Sequence, residues 1–384
     1  MTTPVRLGMV GGGPGAFIGA VHRMAAALDG QLQLVCGAFG SSPERSRSGG
    51  LALGLDPARC YADWTQMLAE EGARPAPQRM ECLTIVTPNA SHVPIARAAL
   101  RAGFHVFCEK PVALSLAEAR SLATEVRSSG RQFALAHTYS GYAMVRQARE
   151  LVRSGALGAL RKVIVEYLQG WLSEPLAGNK QADWRADPAL AGPSGCMGDI
   201  GTHAAHLAEF VTGARIEAVS AELNRIVPGR VLDDDGAALL RFSGGLRGVL
   251  LASQIAAGEE NGLALRLYGE RGGLEWRQQE PNSLWLKWHG QPAQLLRSGG
   301  PATAAAAPWV RLPAGHPEGY LEAFGNLYRE FAARIRALEQ HPGAPLPQSA
   351  VPGIEAGVRG MAILEALLTS SHHNGRWQAV EDCA

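Results

Sequence analysis

The amino-acid sequence predicts an α/β protein in two parts: a doubly wound parallel sheet over residues 1–138, and over 139–384 a second α/β domain built on a large, mostly antiparallel open sheet. Three observations carry this prediction. Through the first part, short apolar runs alternate with helical patterns, as expected of parallel strands covered by helices on both faces. A glycine-rich turn, Gly11-Gly12-Gly13-Pro14-Gly15, stands between the first of those strands and the first helix. Beyond about residue 155 the texture changes to strand-like stretches joined by Gly-containing turns. At 384 residues the chain also exceeds what one hydrophobic core comfortably serves.

In order, the first part reads as strands at 5–10, 31–38, 83–86, 106–108 and 133–136, with helices at 18–28, 94–102 and 116–128. A helix at 142–153 stops at Ser154-Gly155 and carries the chain into the second part. There, strands are expected at 160–168, 216–223, 237–242, 246–253 and 263–267. Residues 178–198 read as a long loop rich in Gly, Pro, Asp and Trp, and loops of that length inside a domain are usually functional. Residues 299–307 read as a surface excursion, and 352–371 as a helix free to pack back on the first domain.

Composition narrows the function classes. Apolar content of 46% and charge of 18% describe an ordinary soluble protein, and a formal net charge of +1 without a basic stripe argues against a nucleic-acid partner. Met1-Thr2-Thr3-Pro4 leads directly into an apolar strand pattern and no later apolar run is long enough for a bilayer, so a cytoplasmic protein without a membrane partner is expected. Cys36, Cys60, Cys82, Cys108, Cys196 and Cys383 are dispersed with no C-x-x-C pair, which indicates neither a zinc knuckle nor a redox dithiol. The one acidic block is Asp233-Asp234-Asp235.

Glu109-Lys110-Pro111 places a lysine at a strand's carboxyl end, where α/β folds keep ligands; a solvated lysine before a helix-starting proline is the alternative. The glycine-rich turn has the strand-turn-helix setting of a dinucleotide fingerprint, with Gly11, Gly13 and Gly15 able to let a pyrophosphate approach a helix amino terminus. Ala16 takes the third glycine's place and Gly19 opens a Gly-x-x-His sequence ending at His22, so the turn reads as lengthened. The second strand ends in Phe39-Gly40-Ser41-Ser42-Pro43-Glu44-Arg45 without an immediate carboxylate. Ser41, Ser42 and Arg45, with Arg47, suit a ribose phosphate, so NADP is expected over NAD; a ribose contact from Glu44 is the alternative. In Thr87-Pro88-Asn89 the amide can reach a cofactor or substrate, or Asn89 can simply cap a helix.

Downstream, Gly198-Asp199-Ile200-Gly201-Thr202-His203 sets a carboxylate and an imidazole four apart, on one face if helical, so that Asp199 can orient His203 as proton acceptor. Lys110 can share that role. His206 adds a zinc alternative with Asp199 and His203, and a helix cap with a buried histidine is the structural alternative. Trp184-Arg185 offers an aromatic platform and a fork of donors for a sugar; Trp171 and Tyr139 are secondary candidates and read more simply as packed side chains.

Taken in order, the glycine-rich turn, Thr87-Pro88-Asn89 with His92, Glu109-Lys110-Pro111, Trp184-Arg185 and Gly198-Asp199-Ile200-Gly201-Thr202-His203 resemble the glucose-fructose oxidoreductase and inositol dehydrogenase family, Gfo/Idh/MocA. The resemblance spans nearly the whole chain. It implies a Rossmann domain, an open-sheet α/β domain, NAD(P) in the cleft between them, and a homodimer or homotetramer formed through sheet faces. Carried over by position, it implies a catalytic set of Lys110, Asp199 and His203, with Glu109 and Pro111 shaping the cofactor loop, and Thr87, Pro88, Asn89 and His92 joining the cofactor-binding residues. Trp184 and Arg185 join the substrate site, and His316-Pro317-Glu318-Gly319-Tyr320 is expected near its entrance. The implied activity is dehydrogenation of a secondary alcohol of a cyclitol, pyranose or sugar derivative. A glycosidase with retained cofactor and a non-catalytic sugar or nucleotide sensor are the alternatives on the same fold.

Overall fold

Val5–Gly11 (β1) lies at the centre of a five-stranded parallel sheet, flanked by Leu32–Ala38 (β2) on one side and Cys82–Val86 (β3), His105–Cys108 (β4) and Phe133–Leu135 (β5) on the other. The computed structural model describes residues 3–174, 184–341 and 343–381. Cys383 and residues 178–183 of the expected long loop therefore lie outside the described residues. β3 and β4 are buried at every position, which is why they read as unbroken apolar runs. The connections leave β1 in opposite directions, so the carboxyl ends of β1 and β3 bound the point where the strand order reverses.

This sheet belongs to a compact unit of Met1–Ala113, Ala117–Thr138 and Tyr320–Gly357. The long helix Tyr320–Gln340, absent from the sequence reading, thus returns to the first sheet after the second has been built. Its Phe324, Leu327, Tyr328, Phe331 and Ile335 share a core with Val21, Ala25 and Ala26 of the helix Phe17–Leu28 and with Phe107 of β4. Helices Pro43–Ala52 and Trp64–Ala73 were also not anticipated; Ser42 and Asp63 cap them by accepting from the backbone amides of Arg45 and Gln66.

The second unit comprises Leu114–Leu116, Tyr139–Gly319 and Val358–Ala384. Leu160–Leu168 (β6), Ile216–Asn224 (β7), Asp235–Phe242 (β8), Arg247–Ser253 (β9), Gly262–Gly269 (β10), Gly272–Arg277 (β11), Ser283–Trp288 (β12), Gln294–Arg297 (β13) and Gln378–Ala379 (β14) form one sheet, ordered β13-β12-β11-β10-β6-β9-β8-β7-β14. Every neighbouring pair is antiparallel except β6 with β9. Burial alternates along the strands: Ala238, Leu240 and Phe242 of β8 are buried, whereas Leu239 is 52% exposed. The helix Ile354–His372 begins in the first unit and continues in the second, where Ser370 and Ser371 accept from the backbone amides of Ala221 and Leu223 on β7. Among the described residues, no helix is long and apolar enough to cross a membrane.

Candidate active site

The glycine-rich turn leaves β1 with positive φ at Gly11 (82°) and Gly12 (65°). A Cβ on Gly11 would stand 2.7 Å from the carbonyl oxygen of Val86, and one on Gly13 would fall on the carbonyl oxygen of Phe39. The turn therefore threads between the ends of β2 and β3 where no side chain fits. Gly15, at φ 83°, faces open space instead. The helix starting at Phe17 carries no side-chain cap, so its first amide groups are not served by its N-cap, Ala16. A closely packed backbone turn, an open glycine and an uncapped helix fit the pyrophosphate of a dinucleotide.

At the end of β2, Ser41, Arg45 and Arg47 are exposed and Ser42 serves as a helix cap. Glu44, exposed in the first helical turn, has its pKa lowered by its own backbone amide and the Ser42 hydroxyl. Ser46, missed by the sequence reading, is fully buried; its hydroxyl accepts from Phe39 N at 2.8 Å and donates to Tyr61 O at 2.7 Å, fixing this strand end.

Thr87, Pro88 and Asn89 follow β3. Asn89 is buried inside a short 3-10 turn whose N-cap is Pro88, so it does not occupy the cap position. His92 is fully buried between two carbonyls, Pro111 O at 2.8 Å from Nδ1 and Thr87 O at 2.9 Å from Nε2. Burial lowers its pKa despite those two acceptors. A neutral ring donates to one of them, and His92 thereby joins the loop after β3 to the loop after β4.

That second loop holds Glu109, Lys110 and Pro111, with a cis Lys110–Pro111 peptide. Glu109 is 9% exposed; its Oε1 lies 2.9 Å from His22 Nε2 and its Oε2 accepts from the backbone amide of Lys110 at 3.0 Å. Burial acts to raise the Glu109 pKa, but the hydrogen bond from His22 and the nearby Lys110 cation outweigh it, and the net shift is downward.

In the second unit, Asp199 sits in a π-helical turn, Met197–Gly201, that runs into the helix Thr202–Thr212 carrying His203. The segment joining the pair is helical, the condition for the two to share a face, but its first turn is the wider π turn. Asp199 Oδ2 accepts from Arg185 Nε and from Gln254 Nε2, each at 3.0 Å. The Arg185 guanidinium stands 4.3 Å from the Trp184 ring centroid and 5.8 Å from that of Trp171. His203 is 9% exposed and meets the Tyr139 ring edge-on at 4.9 Å. The Tyr139 and Tyr167 hydroxyls are hydrogen-bonded to each other, and Tyr167 donates to Asn261 Oδ1 at 2.7 Å. Gln254, Tyr167 and Asn261 carry no motif and were missed.

The acidic block is structural at two positions. Asp233 accepts from Ser194 Oγ, Gly195 N and Met197 N and so anchors the π turn; Asp234 accepts from Ile226 N and Val227 N at 2.8 Å. Glu318 accepts from the backbone amides of Arg311 and Leu312. His206 stacks on Phe210, and burial with the Arg149 cation lowers its pKa to about 3. Among the described residues, no group of three or more His, Cys, Asp or Glu side chains could hold a metal ion, so the zinc alternative finds no cluster. The expected site residues thus fall into two sets. Gly11, Gly13, Gly15, Thr87, Asn89, His92, Glu109, Lys110 and Pro111 gather at the carboxyl ends of β1, β3 and β4; Arg185, Trp184, Asp199 and His203 gather in the second unit.

Comparison with known proteins gives consistent results. Residues 5–137 match the oxidoreductase family with an NAD-binding Rossmann fold, and residues 145–275 match the GFO/IDH/MocA C-terminal domain. An uncharacterized oxidoreductase of Bacillus subtilis, YfiI, is 33% identical over 98% of this chain and 97% of its own. The crystal structure of an inositol dehydrogenase homolog from Azotobacter vinelandii complexed with NAD+ is 38% identical, covers 99% of this chain and 98% of its own, and superposes with a TM-score of 0.94. The same homolog with NADH and myo-inositol gives 36% over the same shares and 0.92. Levoglucosan dehydrogenase of Pseudarthrobacter phenanthrenivorans is 26% identical over 73% of this chain and 75% of its own.

Proposed function

The chain belongs to the Gfo/Idh/MocA family of NAD(P)-dependent oxidoreductases, acting on CH–OH groups, and we propose that it oxidises or reduces a secondary alcohol of a cyclitol or pyranose with NAD(H). The observation that carries this reading is the placement of Lys110, its backbone amide held by the buried Glu109 carboxylate, at the same strand ends as the open glycine turn. When bound, the nicotinamide accepts or supplies the hydride. This chain's residues handle binding and the proton. Gly11 to Gly15 and the helix start at Phe17 would seat the pyrophosphate, with Thr87, Asn89 and the loop at Glu109 as the further residues that would hold the cofactor.

Lys110 holds the reacting hydroxyl, and His203 takes its proton on oxidation and returns it on reduction. Asp199, kept in one orientation by Arg185 and Gln254, sets the electrostatic field for that transfer. Trp184 and Arg185 form a platform for a sugar or cyclitol face.

The sequence-based expectation of NADP is not supported by the relatives, which are complexed with NAD+ and NADH. Locally, the Ser42 hydroxyl is engaged as a helix cap, and the ionised Glu44 provides the ribose acceptor that the strand end lacks. The reading is tested with purified protein, NAD+ or NADP+, and a panel of inositols, aldoses, anhydrosugars and glycosides, followed by reduced-nicotinamide absorbance. Reduction of NAD+ with one polyol is expected. Faster turnover with NADP+ would overturn the cofactor assignment, and silence across the panel would overturn the activity.

A further inference from the structure

A chain of buried polar groups ends at the catalytic loop and has no part in the chemistry above. Thr84 Oγ1 lies 2.9 Å from the Tyr328 hydroxyl, that hydroxyl 2.7 Å from His22 Nδ1, and His22 Nε2 2.9 Å from Glu109 Oε1, while Glu109 Oε2 takes the Lys110 amide. Thr84 and His22 are fully buried, Tyr328 is 1% exposed and Glu109 9%. An ionised Glu109 only accepts, so His22 Nε2 carries a proton. His22 Nδ1 pairs with the Tyr328 hydroxyl, which in turn pairs with Thr84 Oγ1. All four side chains are buried, so each takes its hydrogen-bond partner from within the protein.

The rings are held as firmly as the bonds. Phe107, two residues before Glu109, stacks on Tyr328 with centroids 4.2 Å apart, and Phe324 packs on His22 at 4.7 Å. His22 also lies one turn along its helix from Gly19, which abuts Gly12 of the glycine-rich turn. The segment that cradles the dinucleotide is therefore tied, through one imidazole, to the backbone of Lys110. Tyr328 is supplied by the helix Tyr320–Gln340, the one that rejoins the first unit after the second sheet.

We propose that Thr84, Tyr328 and His22 are positioning residues for Lys110, acting through Glu109 to couple the seating of the dinucleotide to the alignment of the lysine. The inference rests on the reading of Lys110 given above only for its consequence in turnover. Its test has an independent readout, because the chain holds just four lysines: Lys110, Lys162, Lys180 and Lys287. Amine-selective acylation of the nucleotide-free protein, quantified by peptide mass spectrometry, reports the reactivity of Lys110 against the other three.

In Tyr328→Phe and His22→Leu the Lys110 rate relative to Lys287 is expected to rise about five-fold, the equivalent of one ordinary hydrogen bond. His22→Gln, which can both accept and donate, should return it to near the wild-type value, and kcat should fall in Tyr328→Phe and His22→Leu and recover in His22→Gln, with KM little changed. Should His22→Leu fail to fold, Tyr328→Phe, which removes a single oxygen, gives the answer. An unchanged Lys110 rate in Tyr328→Phe, whatever its melting temperature, would overturn the proposal by reducing the chain to scaffolding. A changed Lys110 rate in a protein whose wild type reduces no cofactor would support the positioning role and remove the dehydrogenase reading instead.

Discussion

Gln254 is buried at 2% exposure at the end of β9, and its amide donates to Asp199 Oδ2 at 3.0 Å. Replacing it with Leu deletes one hydrogen bond to an ionised acceptor, an interaction worth about 1.5–3 kcal/mol. Arg185 Nε donates to the same oxygen at the same distance, so the carboxylate keeps that partner and the loss falls toward the lower end of that range. If the bond orients Asp199 for proton transfer, about 1.5–2 kcal/mol corresponds to a fall of about 10- to 30-fold in kcat/KM. Initial rates with NAD+ and the best polyol measure it directly. NADH affinity, titrated by fluorescence, should stay within about two-fold, because the glycine turn belongs to the other unit. Arg185→Lys, which loses both the fork and the stacking on Trp184, should cost a similar factor. A Gln254→Leu enzyme with kcat/KM within two-fold of wild type would refute the role assigned to this hydrogen bond.

Three further outcomes follow from the same geometry. Gly15→Ala should cost only about 1 kcal/mol of unliganded stability, from its positive φ, yet weaken NADH binding at least about ten-fold if the open space beside it receives the pyrophosphate; Gly13→Ala, whose Cβ meets the Phe39 carbonyl, should lower both by about 1–3 kcal/mol, as read by thermal unfolding and NADH titration. Asp234→Asn must set an amide group against one of the backbone N–H groups of Ile226 and Val227, and should destabilise by about 1–3 kcal/mol in urea unfolding. His206, whose folded pKa of about 3 lies below its unfolded value, resists protonation in the native state, so stability falls as pH drops below about 6.5; His206→Leu should reduce the loss between pH 7 and pH 5 by about 1–2 kcal/mol.

The parallel sheet was legible because β3 and β4 are buried on both faces and spell apolar runs, and the antiparallel sheet because residues such as Ala238, Leu240 and Phe242 alternate with exposed ones. The helix Tyr320–Gln340 has a regular apolar stripe at Phe324, Leu327, Tyr328, Phe331 and Ile335 that the reading passed over; its return to the first unit is a tertiary fact that no local pattern encodes. Strands β11, β12 and β13 are short, and the first two mix charged residues with tryptophan, which hides their period. Sequence motifs single out as candidates the residues that carry ordered signatures, from Gly11 to His203. They did not locate His22's partners or Gln254, because Tyr328 lies far along the chain and Gln254 reaches Asp199 from a different strand end. The spacing of Asp199 and His203 indicates a shared face if the segment is helical, and it does not disclose that the first turn is a π turn held by Asp233. The bare strand end after β2 pointed toward a phosphate, but spare hydroxyls do not reveal that Ser42 is committed to capping.

The central claim, that Lys110 serves alcohol oxidation on a nicotinamide-binding scaffold, is tested most directly by comparing wild type and Lys110→Ala in single-turnover reduction of NAD+ by myo-inositol or the preferred polyol. A loss of at least about 100-fold in the hydride-transfer rate is expected, with NADH affinity nearly unchanged. Equal rates in the two proteins would contradict it.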